Sequence, residues 1–185
     1  MIIGVTGNFG SGKSTVSRIL AELSNARVID ADKIAKKYLL LYKKRILREF
    51  PEARRNKSID TRKLAEIVFE DRKKLRKLEK ILHPPTRREI KQLSKTKKNV
   101  IIDAPLLIEG GLYSLCNFII LVKTPKEVQI RRLKGKFTGK EINKRLENQL
   151  PYNKKKKYAD YIINNDSSLK NTRKQVELIW QKMKK

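Results

Sequence analysis

The sequence contains very little of what disulfide-bonded, zinc-binding and membrane proteins depend on. Of its 185 residues one is cysteine, Cys116, and one is histidine, His83. A single cysteine excludes an internal disulfide, and together these two residues exclude zinc sites built from several cysteines or histidines. No apolar run reaches the ~18 residues of a membrane helix, and the apolar start at Met1 lacks a signal-peptide pattern. We therefore expect a soluble, cytoplasmic protein.

Acidic and aromatic residues are also scarce. Lys and Arg number 46 against 19 Asp and Glu, for a net charge of +27. Such a field attracts anions, including nucleotides, nucleic acids and acidic lipids. The aromatic share is only 6%, and the basic residues are spread along the whole chain, which disfavours a dedicated nucleic-acid-binding surface. A nucleic-acid-associated ATPase stays open as a second hypothesis, while most of the charge is interpreted as a solvated lysine surface.

Continuous apolar segments alternate with helical ones. Strands that are buried on both faces consist of consecutive apolar residues, and helices between such strands are typical of a parallel sheet. The prediction is an α/β fold with a five-stranded parallel sheet flanked by helices, in a single domain of 1–185. The predicted strands are Ile2–Thr6, Arg27–Asp30, Val100–Asp103, Phe118–Val122 and Asp160–Asn164.

The helical segments have amphipathic spacing. One helix starts near Lys13, and a long helical region, about 33–98, is expected to break near Pro51 and at Pro84-Pro85. Further helices are predicted at about 126–134, 140–149 and 169–182. The run Lys154 to Lys157 is interpreted as a solvated helix face.

The strongest chemical signal is a phosphate-binding loop. Gly7 to Ser14 reads Gly-Asn-Phe-Gly-Ser-Gly-Lys-Ser, which fits G-x-x-x-x-G-K-[ST] between an apolar strand and an amphipathic helix. Glycines let the backbone wrap closely around phosphate groups, and the start of the helix favours negative charge. Lys13 is expected to reach the β- and γ-phosphates of a nucleotide, and the Ser14 hydroxyl to bind Mg²⁺.

Patterns that the rest of the chain lacks restrict the type of reaction. The GTPase patterns D-x-x-G and N-K-x-D are absent, and Asp103 is followed by Ala104 and Pro105 rather than by the glutamate of many ATPases. In so short a chain these features favour a nucleoside or nucleotide kinase.

Two carboxylates follow the second predicted strand. Asp30 and Asp32 are two residues apart, so both can face one side at the carboxyl edge of the sheet, where α/β folds bind ligands. Either could accept a proton from an attacking hydroxyl or hold the Mg²⁺ shell. Asp32 is equally suited to cap the helix that begins at Lys33, and spacing alone leaves both roles open.

Basic residues after the fourth strand suit a lid that closes over a transferring phosphoryl group, although most of them are expected to be plain surface. His83 precedes Pro84-Pro85, where a capping or packing role is the usual one. The basic residues are Arg131, Arg132, Lys134, Lys136, Lys140, Lys144 and Arg145.

Taken together, several strings resemble the dephospho-coenzyme A kinase family. The P-loop is shared by many families, whereas the other strings, in this order, are far more selective. They are Gly4 to Thr15, Ile29-Asp30-Ala31-Asp32, Leu82-His83-Pro84, Asp103-Ala104-Pro105-Leu106-Leu107-Ile108-Glu109, Gln129 to Arg132, Arg145 to Gln149 and Ala159 to Asn165.

The resemblance implies transfer of a phosphoryl group from MgATP to the 3′-hydroxyl of dephospho-coenzyme A, the last step of coenzyme A synthesis. It also implies a P-loop kinase core of about 1–32, 99–125 and 159–185, a helical substrate-binding region of about 33–98, and a lid of about 126–158. The expected partner is the small-molecule substrate, with no specific nucleic acid and no membrane, in a monomer or at most a weak oligomer. Another small-molecule P-loop kinase is the alternative.

The resemblance also implies roles for individual residues. Asp32 is the expected base, with Lys13 and Arg145 beside the phosphates. ATP is expected to contact Gly10, Ser11, Gly12, Lys13, Ser14, Thr15 and, near the adenine, Asn165. Mg²⁺ is expected on Ser14, with Asp30 or Asp103 as the candidate second ligand. The expected substrate-binding residues are His83, Leu106, Leu107, Glu109, Arg132 and Lys136.

Two positions depart from the family's pattern. Lys136 stands where members often carry a lid arginine, and lysine keeps the charge but loses the bidentate fork. Thr61 stands at the arginine of the family's I-D-R string, with Arg62 one residue further on.

Overall fold

The computed structural model describes residues 1–184 of the chain. Two compact units are present. The core unit consists of Met1–Asp30 and the chain from Lys91 onward, and the helical unit is Ala31–Ile90. The boundary at Ile90 lies inside a long helix.

The core unit is built on a five-stranded, all-parallel sheet, which confirms the predicted fold class. Its strands are β1 Ile2–Thr6, β2 Arg27–Asp30, β5 Val100–Asp103, β6 Phe118–Lys123 and β7 Tyr161–Asn164. Each predicted strand is present within one residue of its predicted bounds. The strand order is β2-β5-β1-β6-β7, so β1, which leads into the phosphate-binding loop, is central.

Apolar side chains on both faces of the strands explain why the sheet is buried. All four residues of β5 are buried, as expected for a strand covered by other elements on either side. Helices α1 (Lys13–Ser24) and α9 (Leu169–Met183) pack against each other. Their inward residues, such as Leu20 and Trp180, join the β-strands in one apolar cluster.

Close packing explains why β1 has a glycine at position 4 and why the single cysteine is unreactive. A Cβ added to Gly4 in β1 would lie 2.7 Å from a methyl group of Leu107 and 2.8 Å from Sγ of Cys116. Burial, with the nearby charge of Asp160, raises the pKa of the Cys116 thiol to about 12. The thiolate is the reactive form, so Cys116 is an inert packing residue.

Short helices complete the core unit. They are α6 Lys126–Leu133, α7 Gly139–Glu147 and α8 Tyr152–Lys156, together with a 3₁₀ turn at Leu112–Leu115. Thr138 and Glu141 form a reciprocal capping box at the start of α7, which satisfies otherwise unpaired N–H groups. The interpretation of Lys154 to Lys157 as a solvated face is wrong at Lys155. Its side chain has 0% exposure because it pairs with Glu109.

The helical unit has its own apolar core, which includes Ile46, Phe50, Leu64 and Ile81. Its α4 helix is capped by Asp60, whose carboxylate accepts hydrogen bonds from the N–H groups of Arg62 and Lys63. The helices are α2 Ala31–Leu41, α3 Lys43–Glu49, α4 Thr61–Glu70 and α5 Arg72–Leu93, and a hairpin pairs β3 Arg54–Arg55 with β4 Ser58–Ile59.

Two features of the helical unit differ from the sequence prediction. The expected break at Pro84-Pro85 is absent, because α5 continues through both prolines. Proline removes helix hydrogen bonds, but Pro85 and its neighbour Thr86 are buried, and packing of this kind outweighs a local propensity. The hairpin was not predicted, since two-residue strands show no alternation. The break near Pro51 is confirmed.

None of the described helices is long and apolar enough to span a membrane.

Replacing Ile101 with alanine should lower the free energy of unfolding by about 2–5 kcal/mol, because its fully buried side chain would leave a cavity in the sheet. Its partner in β2, Val28, is 40% exposed. Val28→Ala should therefore cost less than about 1 kcal/mol. Urea unfolding of both variants measures the difference, and equal losses would contradict this description of the sheet.

Candidate active site

The phosphate-binding loop joins the central strand to α1. Gly10 and Gly12 have left-handed backbone angles, with φ of 79° and 85°, which glycine adopts without the steric penalty of a side chain. Gly12 precedes the first residue of α1 and supplies no side-chain cap. The first N–H groups of a helix have no partner within it, so this end of α1 is suited to an anionic ligand.

Asn165 supports the loop from behind. It follows β7, is buried, and its Nδ2 donates a hydrogen bond to the carbonyl oxygen of Ser11 at 2.8 Å. Its Oδ1 accepts one from Thr172 at 2.9 Å, which fixes the orientation of the amide. A Cβ added to Gly12 would overlap Nδ2 of Asn165. The structure thus places Asn165 against the loop backbone.

The carbonyl oxygen of Ser11 is contacted by two further side chains. Oγ1 of Thr124 lies 2.9 Å from it, and Nη1 of Arg132 lies 3.4 Å from it. Nη2 of Arg132 also donates to the carbonyl oxygen of Asn165 at 2.8 Å. Arg132 is therefore beside the loop. Sequence reasoning missed Thr124, which had no signal beyond its place after a strand.

Side chains from the segment after β6 contact the tip of the loop. Phe9 and Phe137 pack edge to face, with ring centroids 5.1 Å apart. The Arg145 guanidinium lies 4.4 Å from the centroid of Phe137 and 5.2 Å from that of Phe9, within the range of cation–π attraction. Oε1 of Gln149 accepts a hydrogen bond from the Phe9 N–H at 2.9 Å. Phe9 was missed because the phosphate-binding motif allows any residue at its position, and Phe137 was missed because it belongs to no motif. Lys136 is exposed, next to Phe137.

Acidic residues gather on the opposite flank of the loop. Asp30 and Asp103 are register partners at the ends of β2 and β5, and Asp103 is only 7% exposed. Burial raises the pKa of Asp103, while a hydrogen bond with Ser14 and the charge of Lys13 act to lower it, and the charge of Asp30 adds to the rise. These influences show that the four side chains form one neighbourhood. Nζ of Lys13 also lies 3.4 Å from the carbonyl oxygen of Asn8.

This flank fits Mg²⁺. The ion prefers oxygen ligands and is usually held by one or two protein oxygens plus phosphates and water. The Ser14 hydroxyl lies near the Asp103 carboxylate, since it acts to lower the pKa of that group, and the two offer such a partial set. No group of three or more acidic, histidine or cysteine side chains suited to a metal occurs in the described residues.

The remaining predicted residues lie in two places. Within the core unit, Leu106 is half-buried and Leu107 fully buried. Glu109 pairs with Lys155 at 3.0 Å and accepts a hydrogen bond from the N–H of Leu150.

In the helical unit, His83 is half-buried in α5, and Asp32 is exposed in the first turn of α2. This helix begins at Ala31, so the suggestion that Asp32 caps a helix starting at Lys33 is wrong.

A glycine-rich loop with its lysine and serine, on the central strand of a five-stranded parallel sheet and beside Arg132 and Arg145, defines a P-loop kinase. The dephospho-CoA kinase family profile matches residues 1–171, and the chain belongs to this family of enzymes.

Relatives match along nearly their whole length. A dephospho-CoA kinase of Fusobacterium nucleatum is 42% identical over 96% of this chain and 95% of its own. The crystal structure of a Thermus thermophilus protein is 33% identical, with a TM-score of 0.83, over 99% of this chain and 97% of its own. A dephospho-CoA kinase structure from Campylobacter jejuni is 30% identical, with a TM-score of 0.70, over 98% and 96%.

Gly12→Ala should weaken ATP binding at least about tenfold, because the new methyl group overlaps the amide of Asn165 and displaces the loop. Gly135→Ala is the matched control. Gly135 also has a positive φ, 88°, but open space surrounds its Cα. It should lose about 1 kcal/mol of stability and keep its ATP affinity. Calorimetric titration with MgATP compares the two, and equal affinities would refute the role given to Asn165.

Proposed function

We propose that the protein transfers the γ-phosphoryl group of ATP to the 3′-hydroxyl of dephospho-coenzyme A and releases ADP and coenzyme A. Membership of the dephospho-CoA kinase family, over residues 1–171, carries this proposal. The arrangement of Lys13, Ser14 and Asp103 around one loop supports it, because phosphoryl transfer depends on positioned charge around the phosphates.

ATP phosphates would lie in the loop from Gly10 to Thr15. Lys13 would neutralise charge on the β- and γ-phosphates, and Arg145, held over two aromatic rings at the tip of the loop, would add positive charge from the lid. Arg132 and Asn165 support the loop backbone at Ser11. A role of Asn165 near the adenine stays a prediction.

Ser14 and Asp103 would hold Mg²⁺, with Asp30 as the alternative carboxylate. When bound there, the ion would neutralise charge on the β- and γ-phosphate oxygens. Burial disfavours the ionised form of Asp103, but Ser14 and Lys13 favour it. The net effect is a raised pKa, so a bound Mg²⁺ would be the group that holds Asp103 in its ionised form at the edge of the sheet.

Asp32 is the proposed base. As the 3′-oxygen of the acceptor bonds to the γ-phosphorus, the bond from that phosphorus to the bridging oxygen breaks, and the hydroxyl proton passes to the Asp32 carboxylate. Asp32 is exposed in the first turn of α2 and follows Asp30 by two residues.

The acceptor contacts are predicted at His83, Leu106, Leu107, Glu109, Arg132 and Lys136. We propose one domain with a core, a helical substrate-binding region and a lid. A cytoplasmic monomer without nucleic-acid or membrane partners is part of the same proposal.

An ADP-release assay with MgATP tests this function. Dephospho-coenzyme A, adenosine, AMP, a polynucleotide and no acceptor are compared, and we expect release only with the first, with coenzyme A as product. Lys13→Ala should abolish transfer, whereas Lys174→Ala, an exposed lysine on α9, should not. Turnover with adenosine or AMP would indicate another small-molecule kinase, and stimulation by the polynucleotide alone would favour a nucleic-acid-associated ATPase.

Asp32→Asn should lower turnover by about 10²-fold or more while changing ATP affinity less than about threefold, because the base acts on the acceptor. Glu127→Gln is the control, since Glu127 is an exposed acid in the first turn of α6. It removes the same favourable interaction with a helix dipole without touching the reaction. Steady-state kinetics and thermal unfolding are measured together. An Asp32→Asn effect confined to stability would contradict the role of a base.

A further inference from the structure

Lys155 is an exception in a chain covered with solvated cations. It lies in α8 and has 0% exposure, whereas its neighbours Lys154, Lys156 and Lys157 are exposed. Lysine is almost never fully buried unless it is paired, because removing a charge from water is costly. A burial of this kind calls for a specific reason.

The ammonium group joins two parts of the segment that follows β5. Nζ lies 3.0 Å from Oε1 of Glu109 and donates a hydrogen bond to the carbonyl oxygen of Pro105. Burial lowers the pKa of Lys155, and Glu109 opposes that change. A buried ion pair seldom adds net stability compared with apolar residues of the same size. Stabilisation of the fold is therefore a weak explanation for keeping this pair.

The interaction of Lys155 with Glu109 is connected to the tip of the phosphate-binding loop. Oε1 of Glu109 also accepts a hydrogen bond from the N–H of Leu150 at 2.9 Å. The preceding residue, Gln149, accepts the hydrogen bond from the N–H of Phe9. Glu109 thus fixes the backbone from which Gln149 holds the loop.

The hydrogen bond from Lys155 to Pro105 is connected to the acidic flank. Pro105 is two residues beyond Asp103, and the intervening Ala104 donates its N–H to the carbonyl oxygen of Val5 at 3.1 Å. Lys155 therefore holds the backbone two residues after Asp103. A single ammonium group connects the two sides of the phosphate site.

We propose that Lys155 is a positioning residue for phosphoryl transfer. Through Glu109 and Pro105 it sets the Gln149–Phe9 contact and the Asp103–Ser14 contact relative to each other. The inference rests on the function proposed above, because it assigns Lys155 to the same site. Misplacement of reacting groups by about 1 Å can cost about 10²-fold in rate, so a rigid connection between the two sides has a direct catalytic effect.

The test uses Lys155→Met, Glu109→Gln and the double variant, with Lys154→Met as the matched control on the exposed neighbour. We expect Lys155→Met to lower kcat with dephospho-coenzyme A at least about tenfold and to weaken MgATP binding at least about threefold. The double variant leaves no buried charge without a partner, so it replaces Lys155→Met in the test if Lys155→Met fails to fold. Because the two residues act as a unit, the double variant should lose no more activity than Lys155→Met.

Activity is expressed per nucleotide-binding site from calorimetric titration, so a fraction of unfolded protein does not count as slow enzyme. Wild-type kcat and MgATP affinity in folded Lys155→Met, or in the double variant, would overturn the proposal, as would equal losses in Lys154→Met. If the wild-type protein binds ATP but does not phosphorylate dephospho-coenzyme A, the proposed function fails. In that case the MgATP affinity alone tests the role of Lys155. Binding that is at least about threefold weaker in Lys155→Met than in the wild type supports the role, and equal binding refutes it.

Discussion

The site depends on how one carbonyl oxygen, that of Ser11, is held. A loop that wraps a phosphate must turn its N–H groups toward the ligand, and its carbonyl groups then need partners elsewhere. Asn165, Thr124 and Arg132 supply these partners from β7, from the end of β6 and from α6. The shape of the loop is therefore set by elements that are distant in sequence and meet only in the folded sheet.

Charge is distributed differently inside and outside this site. The surface carries most of an excess of +27, which attracts any anion, whereas a few buried or half-buried groups make a phosphate site specific. Lys13, Asp103 and Lys155 each have a named partner, and burial shifts the pKa of the last two. Low dielectric strengthens such contacts and makes their geometry matter more.

Much of the architecture could be predicted from local patterns. Apolar runs identified β1, β5 and β6 most directly, because strands buried on both faces need apolar residues throughout, and shorter runs identified β2 and β7. The same logic failed at Pro84-Pro85, where packing overrode a local rule, and at Arg54–Ile59, where the strands are too short to show a pattern. It also failed at Lys155, since a lysine among lysines has no sequence signal that distinguishes the buried one from the exposed ones.

The sequence by itself determined the chemistry available to this protein. Gly7 to Ser14 defines phosphate binding because the required turn and charges are contiguous, and the order of short motifs identified the family. Only the tertiary structure decided how that chemistry is held. It placed Asn165 behind Gly12, Arg145 over Phe9 and Phe137, and Lys155 between Glu109 and Pro105. These contacts join residues far apart in the chain, and their distances are set by the packing of the sheet and its helices rather than by any local pattern.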